Sequence, residues 1–155
     1  MALIREMVAG VYRLVSGLFL GAWLMATLAF TLRAANPLPG QIVTDNLVPL
    51  TTIRIYLDNL DSAFWVAQAA GNVLLLLPLG LFGPLALPWL DRWWRVLLVA
   101  LLLSACIELA QLLVPERSAD VDDVLLNALG ALAGFGLGRL LRLGPGQHGP
   151  IPERD

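Results

Sequence analysis

The sequence predicts an all-α, polytopic membrane protein with four transmembrane helices, and both its composition and its hydropathy pattern support this fold class. Hydrophobic residues make up 58% of the 155-residue chain, charged residues make up 14%, and the mean hydropathy is +0.76. These proportions are unlike those of a soluble domain and suit a chain whose solvent is mostly lipid. Apolar stretches with few or no charges recur along the chain, most of them near the length that crosses a bilayer.

Each predicted span follows from one of these stretches. The spans are predicted at about residues 12–33, 64–85, 95–115 and 121–142. The first contains no charge between Leu14 and Leu32. A cleaved signal peptide is the alternative, but its apolar region would be too long, and Arg33 stands where cleavage needs a small residue. The second span contains Pro78, which predicts a bend.

The four spans are predicted to form a single membrane domain over residues 1–143, followed by a disordered cytoplasmic tail at 144–155 that is rich in Gly and Pro. The arginines favour one side of the membrane. That side carries Arg5, Arg13, Arg92, Arg95, Arg139, Arg142 and Arg154, whereas the other carries Arg33, Arg54 and Arg117. The positive-inside bias therefore predicts that both termini are cytoplasmic.

The first loop contains a further predicted helix. Ile53, Tyr56, Leu57, Leu60 and Phe64 follow the i, i+3, i+4, i+7 spacing of one helical face. This spacing predicts an amphipathic helix in the outer membrane interface. A loop helix packed on the bundle is the alternative, and the spacing does not separate the two.

Polar residues within the third span indicate a candidate site. Ser104, Glu108 and Gln111 lie on one helical face. An ionisable residue inside a span costs roughly 2.5–3.5 kcal/mol on insertion scales, so Glu108 is expected to face protein or water and to have a partner. Arg117 is the predicted cation for Glu108 or for the neighbouring Asp group.

Asp120, Asp123 and Asn127 share one stripe at the start of the fourth span. Asp120 as N-cap and Asp123 as its capping-box partner would explain the two carboxylates, but not Asn127, which lies a turn deeper. At ~1.5 Å per residue, Asn72, Glu108 and Asn127 lie roughly 9–12 Å below the same outer surface. The sequence therefore predicts one polar, ligand-binding pocket. Its predicted residues are Asn72, Ser104, Glu108, Gln111, Arg117, Asp120, Asp123 and Asn127.

Three glycines recur every four residues on the fourth span: Gly130, Gly134 and Gly138. This spacing lets another helix approach closely. Packing within the chain is the first interpretation, and a homodimer contact through these glycines is the alternative.

The strings GNVLLLLPLG and SACIELAQLLVPERSADVDDVLLN, together with NLVP at 46–49, resemble the VanZ-like family of bacterial membrane proteins over about residues 46–138. The resemblance implies a multi-pass protein of the bacterial cytoplasmic membrane. Its motif positions are Asn72, Pro78, Gly80, Glu108, Gln111, Arg117, Asp120, Asp123, Asn127 and Gly130. Because the family is named for a protein linked to teicoplanin resistance, the resemblance implies glycopeptide resistance or the handling of cell-envelope precursors.

Several functions remain open at this point. The first is non-enzymatic binding, at the outer face, of a lipid-linked cell-wall precursor or a glycopeptide. The second is an enzyme acting on a polyprenyl or phospholipid phosphate, in which Asp120 and Asp123 share Mg²⁺ and Glu108 is an acid or base. A proton-coupled transporter and a purely architectural polar cluster are the others.

Some functions are disfavoured by what the sequence lacks. The spans contain no His and no Ser/His pair, which argues against an enzyme. No Cys or His residues occur at metal-ligand spacing, so neither a cofactor nor a structural metal is predicted. The net charge of −2 argues against binding nucleic acid.

Overall fold

The computed structural model describes residues 1–33, 45–114 and 117–142, so the predicted tail at 144–155 lies outside the described residues. The described chain forms α1 (Ala2–Thr31), α2 (Thr51–Asp58), α3 (Ala63–Ala86), α4 (Trp93–Gln111) and α5 (Val121–Arg142), with a 3₁₀ turn at Pro88–Leu90. By length and apolar composition, α1, α3, α4 and α5 can each cross a membrane. The predicted all-α fold with four transmembrane helices is confirmed. Helix α1 begins ten residues earlier than the predicted span.

Helix α3 is the centre of the bundle. It packs against α1 on one side and α5 on the other, and α5 also packs against α4. The core consists of Leu20, Leu76, Leu79, Leu90, Val96, Ala100 and Ala131. Helix α1 leaves apolar side chains such as Leu18 and Met25 exposed. Since a lipid solvent imposes no cost on exposed apolar surface, this is the expected state of a peripheral transmembrane helix.

The glycine stripe of α5 lies against α3 of the same chain. A Cβ added to Gly130 would collide with the carbonyl oxygen of Val73, and one added to Gly134 would collide with that of Leu77. Gly138 is also buried and faces Leu81. The interpretation as internal packing is confirmed. Because α3 covers this stripe, it is not open to the alternative homodimer contact through Gly130, Gly134 and Gly138.

Helix α2 is shorter than the predicted amphipathic face. It ends at Asp58, so Leu60 and Phe64 lie outside it. The side-chain amide of Asn59 donates to the carbonyl of Ile55 at 2.8 Å, which satisfies an acceptor at the helix end. The helix packs on α3 and α5 through buried Tyr56, which supports the alternative of a loop helix packed on the bundle.

Candidate functional site

The candidate site forms where the chain before α2 meets the chain before α5. Asn46 and Asp120 pair in a parallel bridge, in which the Asn46 N–H donates to the carbonyl of Ala119 at 2.9 Å. The Val121 N–H donates to the carbonyl of Asn46 at 3.0 Å. The Asn46 side-chain amide also donates to Asp120 Oδ1 at 2.8 Å. These bonds fix the first loop beside the beginning of α5.

Asp122 of α5 caps the N-terminus of α2. Its carboxylate accepts hydrogen bonds from the N–H groups of Leu50 at 2.6 Å, Thr52 at 2.7 Å and Ile53 at 3.1 Å. The side chain is fully buried, and Leu50 has a left-handed backbone with φ of 70°. A buried carboxylate holding three backbone donors acts as an N-cap supplied by another helix. We call the Asp122 contacts to residues 50–53 the α2 clamp.

Asp120 and Glu108 cap α5. Asp120 Oδ1 accepts from the Asp122 N–H at 2.8 Å, which confirms its predicted role as N-cap. Glu108 Oε2 accepts from the Asp120 N–H at 2.8 Å. In a capping box the side chain of Asp123 would accept from this N–H. The predicted capping box is therefore wrong, because Asp123 instead accepts a hydrogen bond from the side-chain amide of Asn72.

Glu108 is buried within the protein, as predicted for an ionisable residue inside a span. Its partner is a backbone N–H and not the predicted Arg117. Within the described ranges the ion pair found is Arg95–Asp91, at 3.0 Å, and it lies at the other end of α4 from Glu108. Arg117 Nε donates to the carbonyl of Arg33 at 3.1 Å, which ties the loop before α5 to the end of α1.

Ser104 and Asn127 form a separate pair below this network. The Asn127 amide donates to Ser104 Oγ at 2.7 Å, and both residues are buried. Asn127 Oδ1 is buried without a hydrogen-bond partner among the described residues. Neither residue lines the cleft described next, and neither do Glu108 and Asp120. The predicted pocket is therefore divided into a cleft, the cap of α5 and a buried polar pair.

A cleft of about 440 Å³ lies between α1 and α3. This volume falls in the range of roughly 300–1,000 Å³ that is usual for small-ligand sites. Its polar lining consists of Thr27, Thr31, Tyr56, Gln68, Asn72, Gln111, Arg117 and Asp123. Its larger apolar lining residues are Trp23, Phe30, Leu74 and Leu75. The cleft thus brings together four of the predicted site residues, namely Asn72, Gln111, Arg117 and Asp123.

The cleft combines opposite charges with neutral donors. Arg117 contributes a guanidinium group and Asp123 a carboxylate, while Gln111 donates to the carbonyl of Thr31 at 3.3 Å. Burial raises the pKa of the Tyr56 hydroxyl, and the neighbouring carboxylates of Asp123, Asp120 and Asp122 raise it further. This hydroxyl therefore stays protonated and remains a hydrogen-bond donor at the cleft.

Several residues of the site escaped prediction: Thr27, Thr31, Tyr56 and Gln68 in the cleft, and Thr52 and Asp122 in the capping contacts. Gln68 lies one turn before Asn72 on α3, and the helical spacing that identified Ser104, Glu108 and Gln111 would also have indicated it. Thr52 and Asp122 give no such signal, because their partners are distant in sequence and include backbone groups.

Glu108→Ala is expected to lower the free energy of unfolding by about 1–3 kcal/mol, because the Asp120 N–H loses its acceptor. Glu108→Gln retains an acceptor oxygen and is expected to cost less. Thermal unfolding in detergent, followed by circular dichroism, measures both variants. Asp61→Ala, at an exposed residue, is the control. Equal losses in Glu108→Ala and Asp61→Ala would contradict the capping role.

A model of the VanZ/LLP1 family matches residues 17–142. No curated protein and no solved structure matches the chain. The matched range includes every residue that lines the cleft.

Proposed function

The chain belongs to the VanZ/LLP1 family, and from this premise we propose that it binds a lipid-linked cell-envelope precursor, without catalysing a reaction, in the cleft between α1 and α3. The observation that carries the proposal is the amphipathic lining of the cleft. A mixed guanidinium, carboxylate and amide surface lies beside a trough walled by two apolar helices. A lipid with a polar headgroup matches both parts.

The lining residues of α1 give the cleft a direction. Trp23, Thr27 and Thr31 follow each other at intervals of four residues, so the lining runs about 12 Å along the helix. Arg117 lies at the end nearer Thr31, where it contacts the carbonyl of Arg33. We assign the headgroup to this end and the hydrocarbon chain to the groove near Trp23 and Leu75.

The cleft offers suitable groups for such a headgroup. A phosphate would accept hydrogen bonds from the Arg117 guanidinium, whose other nitrogens make no hydrogen bond to a described residue. Sugar or peptide groups would bond to the amides of Gln68 and Asn72 and to the Tyr56 hydroxyl. Asp123 would accept from an amine or a hydroxyl.

The proposed location is the outer face of the bacterial cytoplasmic membrane, which the arginine distribution supports. The family is named for a protein linked to resistance to teicoplanin, a glycopeptide antibiotic. A precursor held in the cleft would be withheld from the antibiotic, and we propose this as the route by which a member of this family would confer resistance.

Arg117→Gln is expected to weaken binding of a polyprenyl phosphate about tenfold, because the phosphate loses its charge-assisted hydrogen bonds. The protein is titrated in nanodiscs with polyprenyl phosphate and analysed by native mass spectrometry. Arg117→Lys, which keeps the charge, is expected to recover part of the affinity.

Arg54→Gln is the matched control, since Arg54 is exposed on α2 and does not line the cleft. Equal losses for Arg54→Gln and Arg117→Gln would attribute binding to the general surface charge and overturn the cleft as the site. Resistance is tested separately, by expressing the wild type, Arg54→Gln and Arg117→Gln in a teicoplanin-sensitive strain.

The alternative functions receive less support from the contacts. Both oxygens of Asp120 already accept hydrogen bonds, from Asn46, Asp122 and Thr52, so sharing Mg²⁺ with Asp123 would disrupt the capping network. Glu108 Oε2 already accepts from the Asp120 N–H, so a proton carried by this residue would have only Oε1 to occupy.

A further inference from the structure

A second cluster of charged and aromatic residues lies at the opposite end of the bundle. A surface pocket of about 400 Å³ opens between the α3–α4 connection and the end of α5. It is lined by Asp91, Arg92, Trp93, Trp94, Phe135 and Arg139. It shares no residue with the cleft between α1 and α3, and it does not depend on the function proposed there.

The pocket carries an excess of positive charge. Its carboxylate, Asp91, is paired with Arg95 at 3.0 Å. Arg139 donates to the backbone carbonyl of Asp91, and its guanidinium lies 5.2 Å from the centre of the Phe135 ring. Arg92 is exposed and makes no side-chain hydrogen bond to a described residue. Two guanidinium groups, those of Arg92 and Arg139, therefore face a pocket whose acid is already neutralised.

Tryptophans surround this pocket at the level where the spans end. Trp89, Trp93 and Trp94 are 51%, 56% and 46% exposed, and Arg95 lies 5.1 Å from the centre of the Trp94 ring. Half-exposed indoles beside arginines are typical of the boundary between hydrocarbon and lipid headgroups. The guanidinium groups of Arg92 and Arg139 thus lie at the depth of lipid phosphates.

We infer that this pocket binds the phosphodiester headgroup of an anionic phospholipid. Arg92 and Arg139 would donate to the phosphate oxygens from opposite walls, one on the α3–α4 connection and the other on α5. Trp93 and Trp94 would contact the glycerol and the first methylenes of the acyl chains. The bound lipid would join α5 to the start of α4.

The test compares retention of phosphatidylglycerol with retention of phosphatidylcholine in native mass spectra of protein titrated with each lipid. Wild type is expected to prefer phosphatidylglycerol, and Arg92→Gln and Arg139→Gln are each expected to reduce that preference about fivefold. Arg139→Lys keeps the charge and is expected to retain most of the preference for phosphatidylglycerol, which separates lipid binding from a defect in folding.

Arg13→Gln is the matched control. Arg13 is exposed on α1 at the same end of the bundle, where Gly17 approaches Ala86 at the end of α3, but it does not line the pocket. An equal loss in Arg13→Gln would show a general attraction to the membrane surface and overturn the site. Inorganic phosphate at millimolar concentration is expected to leave the preference for phosphatidylglycerol unchanged. If inorganic phosphate abolished that preference, the assignment to a lipid would be overturned.

Discussion

Asp122→Asn is expected to release α2 from the bundle and to lower the free energy of unfolding by about 3 kcal/mol. The carboxylate accepts three backbone hydrogen bonds in a fully buried position. An asparagine has one acceptor oxygen, so its NH₂ group would face a backbone N–H, and at least one buried donor would lose its partner. Leu50, held at a φ of 70°, would also be free to relax.

Two measurements test this release. Thermal unfolding in detergent reports the loss of stability, and limited trypsin digestion reports cleavage after Arg54, which lies in α2. Asp58→Asn is the control, because Asp58 is exposed in the same helix, and it is expected to change stability by about 0.5 kcal/mol or less. If Arg54 were as well protected in Asp122→Asn as in wild type, the α2 clamp would be refuted.

The α2 clamp also links the capping network to the proposed ligand. Tyr56 is on α2 and lines the cleft, so a detached α2 would remove one of its walls. Asp122→Asn is therefore expected to weaken binding of polyprenyl phosphate, although Asp122 does not line the cleft. Arg117→Gln should weaken the same binding while Arg54 stays protected from trypsin, which distinguishes the loss of a contact from the loss of a wall.

The transmembrane architecture was predictable because its determinants are local. Length and hydropathy are sufficient to identify a span, so α3 and α4 lie close to the predicted residues 64–85 and 95–115. The burial of Glu108 followed from the cost of exposing a charge to lipid. The close approach at Gly130 and Gly134 followed from their spacing, which placed both on one helical face.

The partners of the polar residues were not predictable in the same way. Asp122 lies off the stripe shared by Asp120, Asp123 and Asn127, and its hydrogen bond to the Thr52 N–H spans 70 residues of sequence. Its partners are backbone N–H groups, which every residue type except proline has, so no pattern in the sequence reveals them. Helical rise does not give the side of the bundle that a residue faces, because that side depends on tertiary packing. Asn72 therefore faces the cleft, whereas Asn127 pairs with Ser104.

Gly130→Ala is expected to destabilise the bundle by about 3 kcal/mol, whereas the same substitution at Gly136 on the same helix is expected to be neutral or stabilising. The added methyl at Gly130 would meet the carbonyl group of Val73, a backbone atom that cannot move by changing a rotamer. At Gly136 no atom lies within 4 Å of the added methyl. There the higher helix propensity of Ala is worth up to about 1 kcal/mol.

Thermal unfolding of Gly130→Ala and Gly136→Ala in the same detergent measures whether their changes in stability have opposite signs. A similar loss in both would show that the effect comes from the helix itself and not from its contact with α3. The cleft provides a second readout, because Val73 follows Asn72, whose side chain bonds to Asp123 across the same helix pair. Separating α3 from α5 at Gly130 would break that bond, so Gly130→Ala is expected to lose affinity for polyprenyl phosphate, and Gly136→Ala to keep it.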